Sequence, residues 1–315
     1  MQLPELKIGN LIAKIPIIQG GMAVRISTAR LAAAVANEGG IGIIAATGMT
    51  VEELRQEIRK ARDLTNGIIG INVLFAVSQF ANLVKTAMEE KIDLVVSGAG
   101  FSRDIFGWGK KFNVPVLSMV SSAKLARMAE KLGAAAVVVE GGEAGGHLGT
   151  FESMRQILPE VRKAVDIPVI GAGGVCSGKD IVEVLALGAN GVQMGTRFAA
   201  SEESNAAPSF KELYIKAKEK DVVLIKSPVG LPGQAIKNDF IEKIEAGSTV
   251  VNNCTVCLKH CDHRFCILKA LNNAQQGFLQ EGLVFAGQCV ARIKEILPVK
   301  TIFKNILQEV ESLTY

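Results

Sequence analysis

The run "VVVEGGEAGGHLGT", Val137 to Thr150, places one of the chain's three histidines, His147, among five of its 32 glycines. Imidazole titrates nearest to neutrality of all side chains and can hand over a proton or a hydrogen bond. Glycine neighbours let a flat ligand lie against the backbone. The pattern therefore suits a donor held beside a planar group, although a loop imidazole that only satisfies backbone would look the same. Glu140 opens the loop, and Gln193 lies in "NGVQMGTR"; both can accept hydrogen bonds from ligand hydroxyls. Asn72 is a short amide able to meet a planar heterocycle. Two further clusters, "GAGG" (Gly171 to Gly174) and "MGTR" (Met194 to Arg197), offer backbone N–H groups to an anion without a side chain in the way. Tight turns alone would also call for those glycines.

The elements that must carry these residues repeat eightfold. Short apolar runs begin at Ile15, Ile41, Ile68, Asp93, Val114, Ala135, Ile167 and Asn190. Amphipathic stretches such as "VEELRQEIRKARDL" and "SAKLARMAEKL" lie between them. Eight strand-plus-helix units predict an α/β fold of the (β/α)8 TIM-barrel type, since a doubly wound sheet would normally stop at five to seven strands. In such a barrel the site forms at the carboxyl ends of the strands, and the loops after strands seven and eight commonly bind phosphate. Asn72, Glu140, Gly173, Gly174, Gly195 and Thr196 all fall at those ends. The rhythm fails after Phe198. The expected organisation is residues 1–200 plus the closing helix as the barrel, and approximately 201–315 as a mainly helical C-terminal appendage that covers the mouth or supports a homodimer.

Within the appendage, "CTVCLKHCDHRFC" holds Cys254, Cys257, Cys261 and Cys266 beside His260 and His263. Four soft ligands in thirteen residues suit zinc or an iron–sulfur cluster, while reduced, partly buried thiols explain them equally well. No metal ligand is assigned. With 49% hydrophobic and 21% charged residues and a net charge of +4, the 315 residues suit an ordinary globular protein. Aromatics at 5% and scattered basic residues argue against a nucleic-acid partner. Neither a signal peptide nor a membrane span is visible, so the expected location is cytoplasmic.

The stretches "PIIQGGMA", "EGGEAGGHLG", "GAGGV", "VQMGTRF" and "ESNAAP", in that order over roughly residues 4–240, resemble the flavin-dependent family of enoyl-acyl-carrier-protein reductase II and nitronate monooxygenase. That resemblance implies an FMN-binding barrel. It puts Gly20, Gly21 and Met22 along the flavin, with Asn72, Glu140 and Gly145 contacting it. It sets the FMN phosphate against Gly173, Gly174, Gly195 and Thr196, with Gln193 and Met194 on the approach, and makes His147 the catalytic donor. The implied reaction is reduction of a trans-2-enoyl thioester, free or linked to acyl carrier protein, with NADH or NADPH as co-substrate. Oxidation of alkyl nitronates with FMN and O2 is the alternative, and a flavin-free phosphate-binding lyase or isomerase stands further off. The position of Glu140 is often glutamine in nitronate monooxygenases, which leans toward the reductase.

Overall fold

Short apolar runs, repeated eight times, become a closed parallel barrel in the computed structural model, which describes residues 3–98, 100, 102–251 and 254–313. The barrel strands are β1 (Ile17–Gln19), β2 (Ile41–Ala45), β3 (Ile68–Val73), β4 (Leu94–Ser97), β5 (Val116–Val120), β6 (Ala136–Glu140), β7 (Val169–Ala172) and β8 (Gly191–Met194). Each falls within its expected apolar run. Closure comes from β8 pairing with β1, Val192 opposite Ile17. Inward residues such as Ile18, Ile43, Leu94, Leu117, Val138 and Ile170 fill the interior. The intervening residues, among them Ile71, Val95, Val137 and Val139, pack outward against the helices. An antiparallel hairpin, Leu6–Ile8 with Leu11–Ala13, plugs the amino end with Leu6, Ile8 and Ala13.

The helices that follow the first seven strands are α1 (Ala29–Asn37), α2 (Val51–Leu64), α3 (Phe80–Glu89), α4 (Asp104–Phe112), α5 (Ala123–Lys131), α6 (Met154–Ala164) and α7 (Gly178–Ala186). Their starts are written locally. Thr50 and Glu53 form a reciprocal capping box on α2, and Ser177 with Asp180 does the same on α7. The eighth helical position is taken by α8 (Val299–Ser312), about a hundred residues beyond β8, which packs between α7 and α1. Glu309 of α8 accepts a hydrogen bond from the Gly178 N–H at 2.6 Å, joining the two helices at the start of α7.

Between β8 and α8 the chain crosses the carboxyl face. It carries helices Pro208–Lys216, Asp239–Glu245 and Ile267–Gln276, and a hairpin of Val222–Lys226 with Pro232–Ile236. The two-residue strand Gly146–His147 adds to this hairpin, with His147 opposite Gly233. The cysteine segment acts as a strap: Leu258 bridges Val77, Cys257 accepts from the Ser78 N–H at 3.0 Å, and the Lys259 ammonium sits 3.6 Å above the Phe75 ring. Its cysteines are unpaired, and among the described residues no group of three or more His, Cys, Asp or Glu converges as a metal site would require. Also among the described residues, no helix is long and apolar enough to cross a membrane.

Candidate functional site

Strand alternation decides which side chains reach the carboxyl mouth of the barrel. On β3, Gly70 and Asn72 face inward while Ile69, Ile71 and Val73 face outward; on β6, Val138 and Glu140 face inward; on β8, Gln193 faces inward between Val192 and Met194. Asn72, Met119, Glu140, Ala172 and Gln193 thus form a ring that floors a cavity of about 1370 Å³, its mouth included. The appendage roofs it with Leu258, Leu268, Leu271, Phe285 and Cys289. Every residue expected to contact the flavin or the substrate lines this cavity except Met194. The Met194 side chain is 1% exposed and packs in the shell between strands and helices. The expectation that it lies on the cofactor approach is corrected by strand parity, since Gln193 already takes the inward position.

The glycine loops after β7 and β8 meet at one end of the cavity. Gly173 and Gly174 have φ of +106° and +69°, which turns their backbone back over the loop. Among the described residues, no protein acceptor takes the N–H groups of Gly173, Gly174, Gly195 or Thr196. Four free donors on one cavity wall make an anion cradle. A side chain at Gly174 would meet Glu143 and Arg155, at 3.2 and 3.3 Å, so this glycine serves the turn of the loop and not empty space. The appendage fixes the cradle from behind. Arg292 donates to the Gly174 carbonyl and to Asp180, each at 2.9 Å, and the Gly287 N–H donates to Thr196 Oγ1 at 3.0 Å.

On the loop after β6, His147 is part-buried, its Nε2 2.8 Å from Ser227 Oγ and its ring edge-on to Phe285, with centroids 5.1 Å apart. Phe285 is anchored through its carbonyl, which accepts from the Tyr214 hydroxyl. Gln234 donates to the Ala144 carbonyl at 2.7 Å and ties the sixth loop to the hairpin. Burial lowers the His147 imidazole to about 4, so it is neutral at physiological pH. Burial raises Glu140 to about 8, making it a neutral carboxylic acid with a proton to donate. Its carboxyl has no protein hydrogen-bond partner among the described residues and faces the cavity. Ser227, Phe285, Tyr214 and Arg292 were not marked by the sequence: they act through tertiary pairing and carry no local spacing. The residues around the cavity fit a flat, phosphate-bearing cofactor, with donors at one end for the anion and neutral polar groups beneath a plane.

Fold and cavity together define a class: a (β/α)8 barrel whose carboxyl-face cavity couples an anion cradle to a neutral histidine and a neutral acid. The chain belongs to the nitronate monooxygenase family, whose profile matches residues 5–94 and 76–309. It is 34% identical over 230 residues to the (3aS,4S,5R,7aS)-5-hydroxy-7a-methyl-1-oxo-octahydro-1H-indene-4-carboxyl-CoA dehydrogenase of Rhodococcus jostii. That match spans 73% of this chain but only 65% of the relative's own length. A probable nitronate monooxygenase of Staphylococcus aureus is 32% identical over 73% of this chain and 77% of its own. Among solved structures, FabK from Thermotoga maritima superposes with a TM-score of 0.87 and 36% identity, covering 95% of this chain and 94% of that one. Nitroalkane oxidase from Streptomyces ansochromogenes gives 0.82 and 26%, covering 95% and 96%.

Proposed function

We propose that the protein is an FMN-dependent oxidoreductase that reduces a trans-2-enoyl thioester at the expense of NADH or NADPH. The observation that carries this reading is a single cavity in which backbone N–H groups at Gly173, Gly174, Gly195 and Thr196, without a protein acceptor among the described residues, line the same walls as Glu140, Asn72, Gln193 and His147. FMN, when bound, supplies a two-electron carrier. The cradle would hold its phosphate, Gln193 and the protonated Glu140 its polar chain and ring edge, and Asn72 the ring.

His147 works as a neutral imidazole. Ser227 holds one ring nitrogen and Phe285 one ring edge, so the imidazole is oriented before substrate arrives. A hydrogen bond from this ring to the thioester carbonyl oxygen stabilises the negative charge that grows there as the β carbon is reduced. The roof of Leu258, Leu268, Leu271 and Phe285 is apolar, which lowers the local polarity and strengthens that bond. Support for a thioester comes from the likeness to FabK, an enoyl-acyl-carrier-protein reductase II, and from the carboxyl-CoA substrate in the name of the Rhodococcus jostii relative. Glu140 in place of glutamine leans the same way.

The family profile and the Staphylococcus aureus relative favour a second reading, oxidation of an alkyl nitronate with O2. Steady-state turnover separates the two. Oxidation of NADH or NADPH that depends on added crotonyl thioester supports the reductase; turnover of a nitronate with O2 and none of the enoyl thioester would overturn it.

A further inference from the structure

Nine of the chain's twelve arginines are committed to hydrogen bonds or ion pairs within the protein, from Arg25 with Glu53 to Arg292 with Asp180. Among the described residues the three without such a partner are Arg30, Arg103 and Arg127. Two of these three share one groove. Arg103, just before α4, and Lys124, Arg127 and Lys131 of α5 surround Met128 and Leu132. All four cations are exposed, and neither lysine has a partner.

The spacing explains the face: positions 124, 127 and 131 recur at three and four residues, so they stack on one side of α5. The carboxylates nearby only partly offset it. Glu130 of α5 accepts from the backbone N–H groups of Asp166 and Ile167 at 2.7 and 3.1 Å, and with Asp104 beside Arg103 it sets two negative charges against four positive ones. Such a concentration is self-repelling and is relieved by an anionic partner. Its place matters as much as its sign. Arg103 lies five residues after Gly98 and Lys124 five after Met119, and both Gly98 and Met119 line the cavity. The groove therefore starts beside the rim formed by the ends of β4 and β5, at Arg103 and Lys124, and runs down the flank of α5 to Lys131 and Leu132 at the far end of that helix.

We infer that the groove of Arg103, Lys124, Arg127 and Lys131 is the docking surface for an acidic carrier protein that presents the thioester to the cavity. The inference rests on the enoyl-thioester reading. The cations along the groove would meet the partner's carboxylates, its rim end at Arg103 and Lys124 leading toward the cavity, and Met128 and Leu132 would receive an apolar side chain between them.

The test compares one enoyl chain carried in two forms, on acyl carrier protein and on neutral N-acetylcysteamine, using the FMN-loaded enzyme. For the double variant Arg127→Glu with Lys131→Glu, kcat/KM for the carrier-linked substrate should fall roughly tenfold or more through KM, as for rim charges that steer association. The neutral thioester should be turned over unchanged. The same reversal on α8, Lys300→Glu with Lys304→Glu, should leave both substrates unaffected. Wild-type KM for the carrier-linked form alone should climb with salt. Unchanged kinetics with the carrier-linked form, or equal losses with both forms, would overturn the docking surface while leaving the reductase standing. Absence of turnover with either thioester in the wild type would remove both.

Discussion

Glu140 offers a magnitude that can be worked from its surroundings. Burial holds its carboxyl at about 8, against roughly 4.3 in an unfolded chain. A folded-state pKa raised above the unfolded one gives stability that is complete below the unfolded value and is lost as pH rises through the folded value. His147 has the opposite sign: lowered to about 4, it costs stability as pH falls through roughly 6.5. Between pH 6.5 and 8.0 Glu140 dominates, and the His147 contribution of about 0.4 kcal/mol is common to wild type and a Glu140 variant, so it cancels in their difference. Integrating its proton uptake over that window gives a loss of about 1.6 kcal/mol, an upper bound because the cavity admits water to the carboxyl. Replacing Glu140 with Gln keeps a neutral donor of the same shape and removes the titration. Urea unfolding of the FMN-free protein at the two pH values should show a loss of about 1 to 1.6 kcal/mol in the wild type beyond that of the variant. Identical pH slopes for the two proteins would refute a buried, neutral Glu140.

Replacing His147 with Ala should leave FMN bound and cost roughly 10²- to 10⁴-fold in kcat, read by steady-state turnover with a flavin spectrum as control. Because burial holds His147 near 4, the kcat/KM profile of the wild type should have no limb near pH 6.5. Such a limb, absent from His147→Ala, would show an imidazolium at work. Ser227→Ala removes the imidazole's hydrogen bond to Ser227 Oγ and should lower kcat more than it raises KM. Gly174→Val forces a β-branched side chain to φ of +69° and against Glu143 and Arg155, so it should weaken FMN binding by at least tenfold in a fluorescence titration.

The barrel was legible because its signal is periodic: eight apolar runs at regular spacing dictate eight strands whatever the rest of the chain does. Strand parity was legible too: in "NGVQMG" an inward Gln193 turns the neighbouring Met194 side chain outward. The loops after β6, β7 and β8 declared themselves through glycine. What the sequence could not supply was the far side of the site. Ser227 and Phe285 reach His147 only because Gly146–His147 becomes the third strand of a hairpin nearly ninety residues away, a pairing set by tertiary packing. Arg292 likewise looks like one cation in "QCVARIKEIL" until Gly174 and Asp180 are brought against it. The cysteine run had chemistry in its composition, yet its backbone, bridged to Val77 and Ser78, does the visible work of closing the roof.

The central claim is that this cavity holds FMN reducible by a nicotinamide and reoxidised by an enoyl thioester. Anaerobic rapid mixing of the purified, FMN-loaded protein with NADH or NADPH tests it most directly. The account predicts rapid bleaching of the flavin band, followed by its return when crotonyl thioester is added. Bleaching by an alkyl nitronate but by neither nicotinamide would contradict it.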